Sequence, residues 1–316
     1  MRTPAGAAPG YRAGSARGDT CELGSYLTDV YNLDPAGGTF SARFWLWSLC
    51  PRKDIDPLPL AAFTNGENPQ VSESQQGYTK GYYRHLILVQ GQFRQPFDMR
   101  DYPFNRQTLQ IVITAAPVVS EFRFTPDSAD SSFNPQAGVP GWRVTGFRVV
   151  ATVARFHTNF GILTQPPGTV STRSRIVLEI STVNSQPTIF GQFVGPLLVI
   201  FLVTLLTFFM RESTETAFMG RIVVESTALF ATILNMERVA GFIPDTSRLT
   251  MLDLLHLITL AYVLFAMGIT VLGYRMFVSE READAIARVN RIGLITGVIG
   301  YAAAVTVVVT QAALAG

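Results

Sequence analysis

Charge is scarce in this chain of 316 residues. Asp, Glu, Lys and Arg together make up 15% of it, against about a quarter in soluble proteins. Disorder requires high charge with few apolar groups, so a disordered chain is excluded. A formal net charge of +2 leaves no basic footprint for a nucleic acid. Chemistry-bearing motifs are missing too. There is no GxSxG elbow, P-loop or dinucleotide fingerprint. The three histidines, His85, His157 and His256, lack metal-ligand spacing and read as satisfied surface or wall residues. Neither an enzyme, a metal nor a cofactor is expected.

What is abundant is apolar surface, at 48% of residues with a mean hydropathy of +0.25. It is unevenly placed. The first 187 residues hold most of the Pro, Asn and Asp, and the remainder holds long apolar runs. Crossing a bilayer core of about 30 Å takes about 20 helical residues. Four stretches qualify: 193–210, 217–243, 251–274 and 290–315, the last apolar from Ile292 onward. Their succession argues against buried core helices. Arg275, Arg281, Arg288 and Arg291 punctuate the connection RMFVSEREADAIARVNR. Positive residues favour the cytoplasm, so this linker is expected inside and the N-terminal domain outside. Residues 1–20 have no apolar core and cannot serve as a signal peptide; they read as a flexible tail, and a leader removed ahead of them is left open.

Residues 21–187 read as all-β. Alternating runs at 39–49, 82–93, 108–114, 142–156 and 174–183 are separated by turn-rich NGENPQ, PFDMRDYP, TPDSADSSFNPQAGVPG and TQPPGT. That pattern predicts an immunoglobulin-like β-sandwich, followed by an all-α four-helix transmembrane domain over 188–316. Strands over 22–33 and 39–49 flank the turn LDPAGG, so Cys21 and Cys50 are nearly equidistant from it. In an oxidising compartment they are candidates for a disulfide; the alternative is two buried thiols.

Several features together resemble the pentameric ligand-gated ion channels, the Cys-loop receptor superfamily, in its prokaryotic branch. The segment FDMRDYPFNRQTLQI (97–111) is similar to the signature loop, with Tyr102-Pro103-Phe104-Asn105-Arg106-Gln107 at its centre. Gln95 and Leu109 stand where animal members carry the loop cysteines. Residues 24–47 resemble the first two sandwich strands. Pro196 sits where the family has its M1 proline, and Gly241 to Ser247 resembles the end of M2 and the M2–M3 loop. The resemblance covers residues 21–315. It implies a homopentamer in a bacterial inner membrane, with M2 lining a pore for inorganic ions and the N-terminal domain periplasmic. Lipids are the surrounding partners, and no nucleic acid is involved.

The second span is unusually polar on physical grounds alone, with Arg221, Glu225, Ser226, Thr227, Thr232, Asn235, Glu237 and Arg238. A charge at bilayer depth costs at least about 2.5–3.5 kcal/mol on insertion scales, so this helix is expected to face protein or water. Counting back from Pro244 as the family does, the pore face is Val223, Thr227, Phe230, Leu234 and Glu237. Apolar rings dewet a narrow neck, which makes Phe230 and Leu234 the expected gate. A register one residue away gives Ile222, Ser226, Leu229, Ile233 and Met236. Arg221 and Glu225 are the selectivity candidates; four apart on one face, they are alternatively partners of each other. Gly220 stands where cation-selective members carry a Glu, but Glu237, and Glu225 if it turns to the lumen, favour cations. An anion channel through Arg221 and a non-channel receptor with a sandwich sensor are the alternatives.

The resemblance also implies a coupling interface at Asp34, Tyr102, Pro103, Phe104, Asn105, Asn184 and Pro244. Asn105 and Asn184 replace an Asp and an Arg that pair in the family, and losing both avoids an uncompensated charge. The two asparagines are expected to hydrogen-bond instead, with the turn at Asp34–Gly38 against the loop 244–248. Ligand-site candidates are Arg84, Glu121, Phe133, Phe156 and Phe160. An aromatic cage suits a cation, while protons, or calcium at PDSAD (126–130), are equal candidates for the effector.

Overall fold

The computed structural model describes residues 19–102, 104–139, 141–163, 166, 168–184, 187–210, 214–241 and 249–315, with only the backbone of 187–190 and 315. The chain divides into two compact units. One comprises Met1–Phe97 and Gln107–Val183, the other Asp98–Arg106 and Asn184–Gly316. An N-terminal, two-sheet, sandwich-like region is thus followed by a helical one.

The first sheet is built from β1 (Asp19–Asp34), β2 (Thr39–Cys50), β4 (Gly66–Thr79), β5 (Tyr82–Arg94), β7 (Phe122–Pro126) and β8 (Ser132–Phe133), and β3 (Ala62–Phe63) belongs to the second. The first runs β4-β5-β2-β1-β7, with β8 also on β1. The second sheet adds β6 (Arg106–Val118), β9 (Gly138–Val139), β10 (Trp142–Phe156) and β11 (Ser171–Asn184) in the order β3-β6-β11-β10-β9. Period-two alternation explains the inner faces. β2 buries Phe40, Ala42, Phe44, Leu46 and Cys50, while β6 buries Leu109, Ile111 and Ile113, and β11 buries Ile176, Leu178 and Ile180. All join one core. Phe40, Phe44, Phe63 and Phe93 form a ring cluster with centroids 5.6–6.3 Å apart, each buried ring contributing about 1.5–3 kcal/mol.

β4 corrects the sequence reading, which took NGENPQ for a turn. The strand is exposed along nearly its whole length and carries few apolar residues. It is held by backbone pairing to β5 on one side, so side-chain alternation had little to signal. Cys21 and Cys50 are joined by a disulfide across the β1/β2 hairpin, with Cα atoms 4.5 Å apart. At its other end the turn closes through the Asp34 carboxylate, which accepts from Gly37 N–H at 2.9 Å, and through Gly38 at φ +64°, where a side chain would be strained. Midway, Gly24 lies under the Trp47 indole, 2.4 Å from where a Cβ would stand. That close approach lets Trp47 Nε1–H donate to Asp127 Oδ2 at 2.9 Å.

The helical region has α1 (Pro187–Thr207), α2 (Glu215–Ala240), α3 (Met251–Val278) and α4 (Ala283–Ala315). Three of these are long and apolar enough to cross a membrane, α4 over 283–314, and a shorter apolar helix covers Gly191–Thr207. Thr214 caps α2 by accepting from Ala217 N–H, and Thr250 with Asp253 forms a capping box for α3. Several boundaries differ from the sequence expectation. The first span ends at Thr207, with Phe208–Met210 in turns. The third and fourth helices reach into the presumed linker, leaving only Ser279–Glu282 between them. The segment ADAIARVNR is rich in Ala and Arg, strong helix formers, so it continues the helix beyond its apolar part.

Candidate functional site

α2 has two faces of opposite fate. Phe218, Arg221, Glu225, Ala228, Thr232, Asn235 and Val239 are buried within the helical unit. The spacing of 3, 4, 3, 4, 3 and 4 is one helical stripe. The opposite stripe is Val223, Thr227, Phe230, Leu234 and Glu237, all exposed, with Phe230 at 63% and Leu234 at 50%. In the alternative register, Ile222, Leu229 and Met236 are half-buried, and Ser226 and Ile233 flank the exposed stripe. Exposed residues of α4 such as Ile292, Ile295, Ile299 and Val307 are apolar, with Thr296, Thr306 and Thr310 among them. The uncovered face of α2 carries a carboxylate, Glu237, as well as Thr227 among its apolar residues. Thr227 Oγ1–H is already spent on Val223 O at 2.8 Å, so its oxygen is left as an acceptor.

Arg221 and Glu225 are both fully buried, which corrects their reading as candidates for a ring on the open face. Arg221 Nη2–H donates to Asn290 Oδ1 at 3.0 Å, and its guanidinium lies 5.4 Å from the Phe208 ring centre. Asn290 is fixed in turn by donating to Phe208 O at 2.8 Å. Glu225 Oε1 accepts from Thr270 at 2.8 Å and Thr207 at 3.1 Å. Arg221 and Glu225 therefore knit α2 to α1, α3 and α4. Residues one turn apart share a face, so the position of Arg221 carries Glu225 inward with it.

A second polar node was not legible beforehand. Asn235 Nδ2–H donates to Phe193 O at 3.2 Å on α1 and to His256 Nε2 at 2.9 Å on α3. His256 Nδ1–H donates to Leu252 O at 2.7 Å, which leaves Nε2 as the acceptor. One amide thus serves three helices within a turn of Pro196, whose ring removes a helix donor. Asn235→Ala strips the buried His256 Nε2 of its donor and removes the bond to Phe193 O. We expect a loss of about 1–2 kcal/mol, read as a lowered thermal midpoint of the full chain in detergent.

The signature-like loop belongs to the helical unit. Arg100 O accepts from Met251 N–H at 2.8 Å at the start of α3, and Asn105 O accepts from Asn184 N–H at 3.4 Å. The two asparagines thus hydrogen-bond through the backbone, while their side chains turn to other partners. Asn105 Nδ2–H donates to Asp98 O and Met99 Sδ, at 3.2 and 3.3 Å, while Asn184 bonds the Tyr102 hydroxyl. Burial pushes the Tyr102 phenol up, partly offset by that bond. Phe104 N–H donates to Asp101 O at 2.7 Å, closing the turn. Pro103 and Pro244 lie outside the described residues, as does the loop 242–248.

In the sandwich, Phe156 and Phe160 meet edge to face at 5.3 Å. Phe160 takes φ +50°, and its ring already carries a cation, the Arg173 guanidinium, at 4.5 Å. Arg173 also donates to Ala116 O. Glu121 lies in the adjoining turn, where Val119 N–H donates to Thr172 O at 2.8 Å. The other candidates stand elsewhere. Phe133 packs against the core beside Leu27, and Arg84 is on β5 opposite Leu49 and Gly77. Within PDSAD, Asp127 is buried and committed, its Oδ1 accepting from Asp130 N–H at 3.1 Å and its Oδ2 from Trp47. Asp130 is the exposed carboxylate of that loop. No protein-family model matches the chain, and no curated protein is significantly similar to it.

Proposed function

We propose that this chain is one subunit of a homopentameric ligand-gated ion channel of the Cys-loop superfamily. In this reading it is a multi-pass protein of a bacterial inner membrane, with an immunoglobulin-like sandwich outside and four crossing helices. The observation that supports it is the uncovered stripe of α2. A helix that hides Arg221 and Glu225 inside the subunit, yet leaves Thr227, Phe230, Leu234 and Glu237 open, needs water or sister subunits on that side. Five copies around an axis supply both. Phe230 and Leu234 then form the dewetted neck, and Glu237 forms an acidic ring at the outer mouth.

Cation selectivity follows from the same placement. Arg221, on which an anion channel would rely, is buried, while the Glu237 carboxylates line the path. The effector acts on the sandwich near Phe156 and Phe160. A cationic ligand would have to displace Arg173 from the Phe160 ring. The signal passes through the loop 97–106 and Asn184 to the start of α3.

Planar-bilayer recording of the purified protein under a salt gradient tests this reading. We expect unitary currents with a reversal potential on the cation side, reduced toward zero in Glu237→Gln. A protein that conducts nothing across a series of pH and calcium would sink the proposal. Asn184→Arg places a charge beside Tyr102 and is expected to shift the activation curve; an unchanged curve removes that residue from coupling.

A further inference from the structure

Away from the helices of the proposed pore, the first sheet holds a serine, a histidine and an aspartate in a hydrogen-bonded line. In the register of β5, His85 faces Gln76 of β4 and Ser48 of β2, and Ser74, two residues from Gln76, shares that face. Asp56, from the segment after β2, closes the row. Its Oδ2 lies 2.5 Å from His85 Nδ1. Its Oδ1 accepts from Ser48 Oγ–H at 2.7 Å and Leu58 N–H at 3.3 Å. Ser74 Oγ lies 3.0 Å from His85 Nε2. The His85 and Asp56 side chains are each 5% exposed, whereas Ser74 is exposed on an edge strand.

The neighbours determine which nitrogen is basic. Tyr83 O–H donates to Gln76 Oε1 at 2.7 Å, which turns the Gln76 amide nitrogen toward His85 Nε2 at 3.4 Å. Burial, with Asp56 nearby, pushes the Tyr83 phenol up, so it stays protonated and remains a donor at neutral pH. A ring nitrogen facing an NH2 group accepts. His85 therefore carries its proton on Nδ1, toward Asp56, and offers the Nε2 lone pair to the Ser74 hydroxyl. Nucleophilic serines require this order of base and orienting acid, which is recognised by geometry and not by chain position.

We propose that Ser74 is an activated nucleophile that accepts an acyl group from an activated ester, with His85 as general base and Asp56 as its positioning residue. In the step, Ser74 Oγ bonds to the ester carbonyl carbon and the bond from that carbon to the leaving alcohol oxygen breaks. The Oγ proton passes to His85 Nε2 and then to the departing alkoxide, giving acyl-Ser74 and a free alcohol. No electrons are exchanged. The exposed edge of β4 admits the ester from solvent, while the buried Asp56 carboxylate stabilises the transient imidazolium. This assignment is independent of the channel reading.

The test uses the full-length protein with p-nitrophenyl acetate and with a fluorophosphonate. We expect one phenolate released per chain and one adduct, mapped to Ser74 by peptide mass spectrometry. Ser74→Ala abolishes the adduct, and His85→Gln slows it at least about 100-fold, the scale of general-base assistance. Asp56→Asn slows it at least about tenfold, since it loosens the tautomer. Ser74→Cys keeps the hydrogen bond and the fold, and is expected to move the reactivity to iodoacetamide with the same dependence on His85. A merely structural row predicts otherwise. No adduct at Ser74, labelling spread over other residues and equal in Ser74→Ala, or a rate unaffected by His85→Gln would each overturn the proposal.

Discussion

Replacing Phe230 and Leu234 together by alanine is expected to leave the resting protein conducting. Both side chains stand on the uncovered stripe of α2, one turn apart, 63% and 50% exposed. In a pentamer they form two stacked apolar rings. Such a neck stops ions because water withdraws from it. Truncation to alanine widens the neck and removes most of its apolar surface, so water and ions re-enter. A rise of at least tenfold in resting flux from proteoliposomes is expected, equivalent to about 1.4 kcal/mol on the closed state. The single variants should each show a smaller rise. Leu229→Ala and Ile233→Ala separate the registers: they leave resting flux low if the stripe through Phe230 and Leu234 lines the water. An unaltered closed state in both Phe230→Ala and Leu234→Ala removes the gate assignment.

The layer order was legible because two different periods occupy two parts of the chain. Phe40, Ala42, Phe44 and Leu46 alternate as a strand must, and the apolar runs of α3 and α4 far exceed strand length. The helical period marked two candidate faces of α2, one through Val223, Thr227, Phe230, Leu234 and Glu237 and one through Ile222, Ser226, Leu229, Ile233 and Met236. Sequence alone could not say which of two neighbouring stripes is covered, because Arg221 and Glu225 can satisfy themselves either in water or against partners. Those partners are Asn290, Thr207 and Thr270, which lie far away in sequence. The same holds for Asn235 and His256, and for Ser74, His85 and Asp56. Each group brings together residues from separate elements, with no local pattern to announce it. β4 escaped notice for a simpler reason. Its partner is only β5 and its side chains are polar, so the backbone ladder, which no side chain reveals, accounts for its position.

Removing the Cys21–Cys50 bridge should lower the unfolding midpoint of the full chain more than any single side-chain change in the sandwich. The bridge spans 29 residues, and loop-closure entropy for that length is worth about 3–4 kcal/mol. At roughly 2–4 °C per kcal/mol for a domain of this size, the Cys21→Ala, Cys50→Ala variant should melt about 7–14 °C lower. The placement concentrates the effect. The hairpin is closed at Asp34–Gly38 by a hydrogen-bonded turn, and the bridge pins its opposite end. Residues 19–23 of β1 also pair in parallel with 122–126 of β7. Freeing Cys21 therefore loosens an edge strand that depends on β1, together with Phe122 and Phe124, which pack edge to face at 5.1 Å in the core. A shift within about 2 °C of the wild type would show that strand pairing alone holds that end, and that the bridge constrains the unfolded chain far less than its length implies.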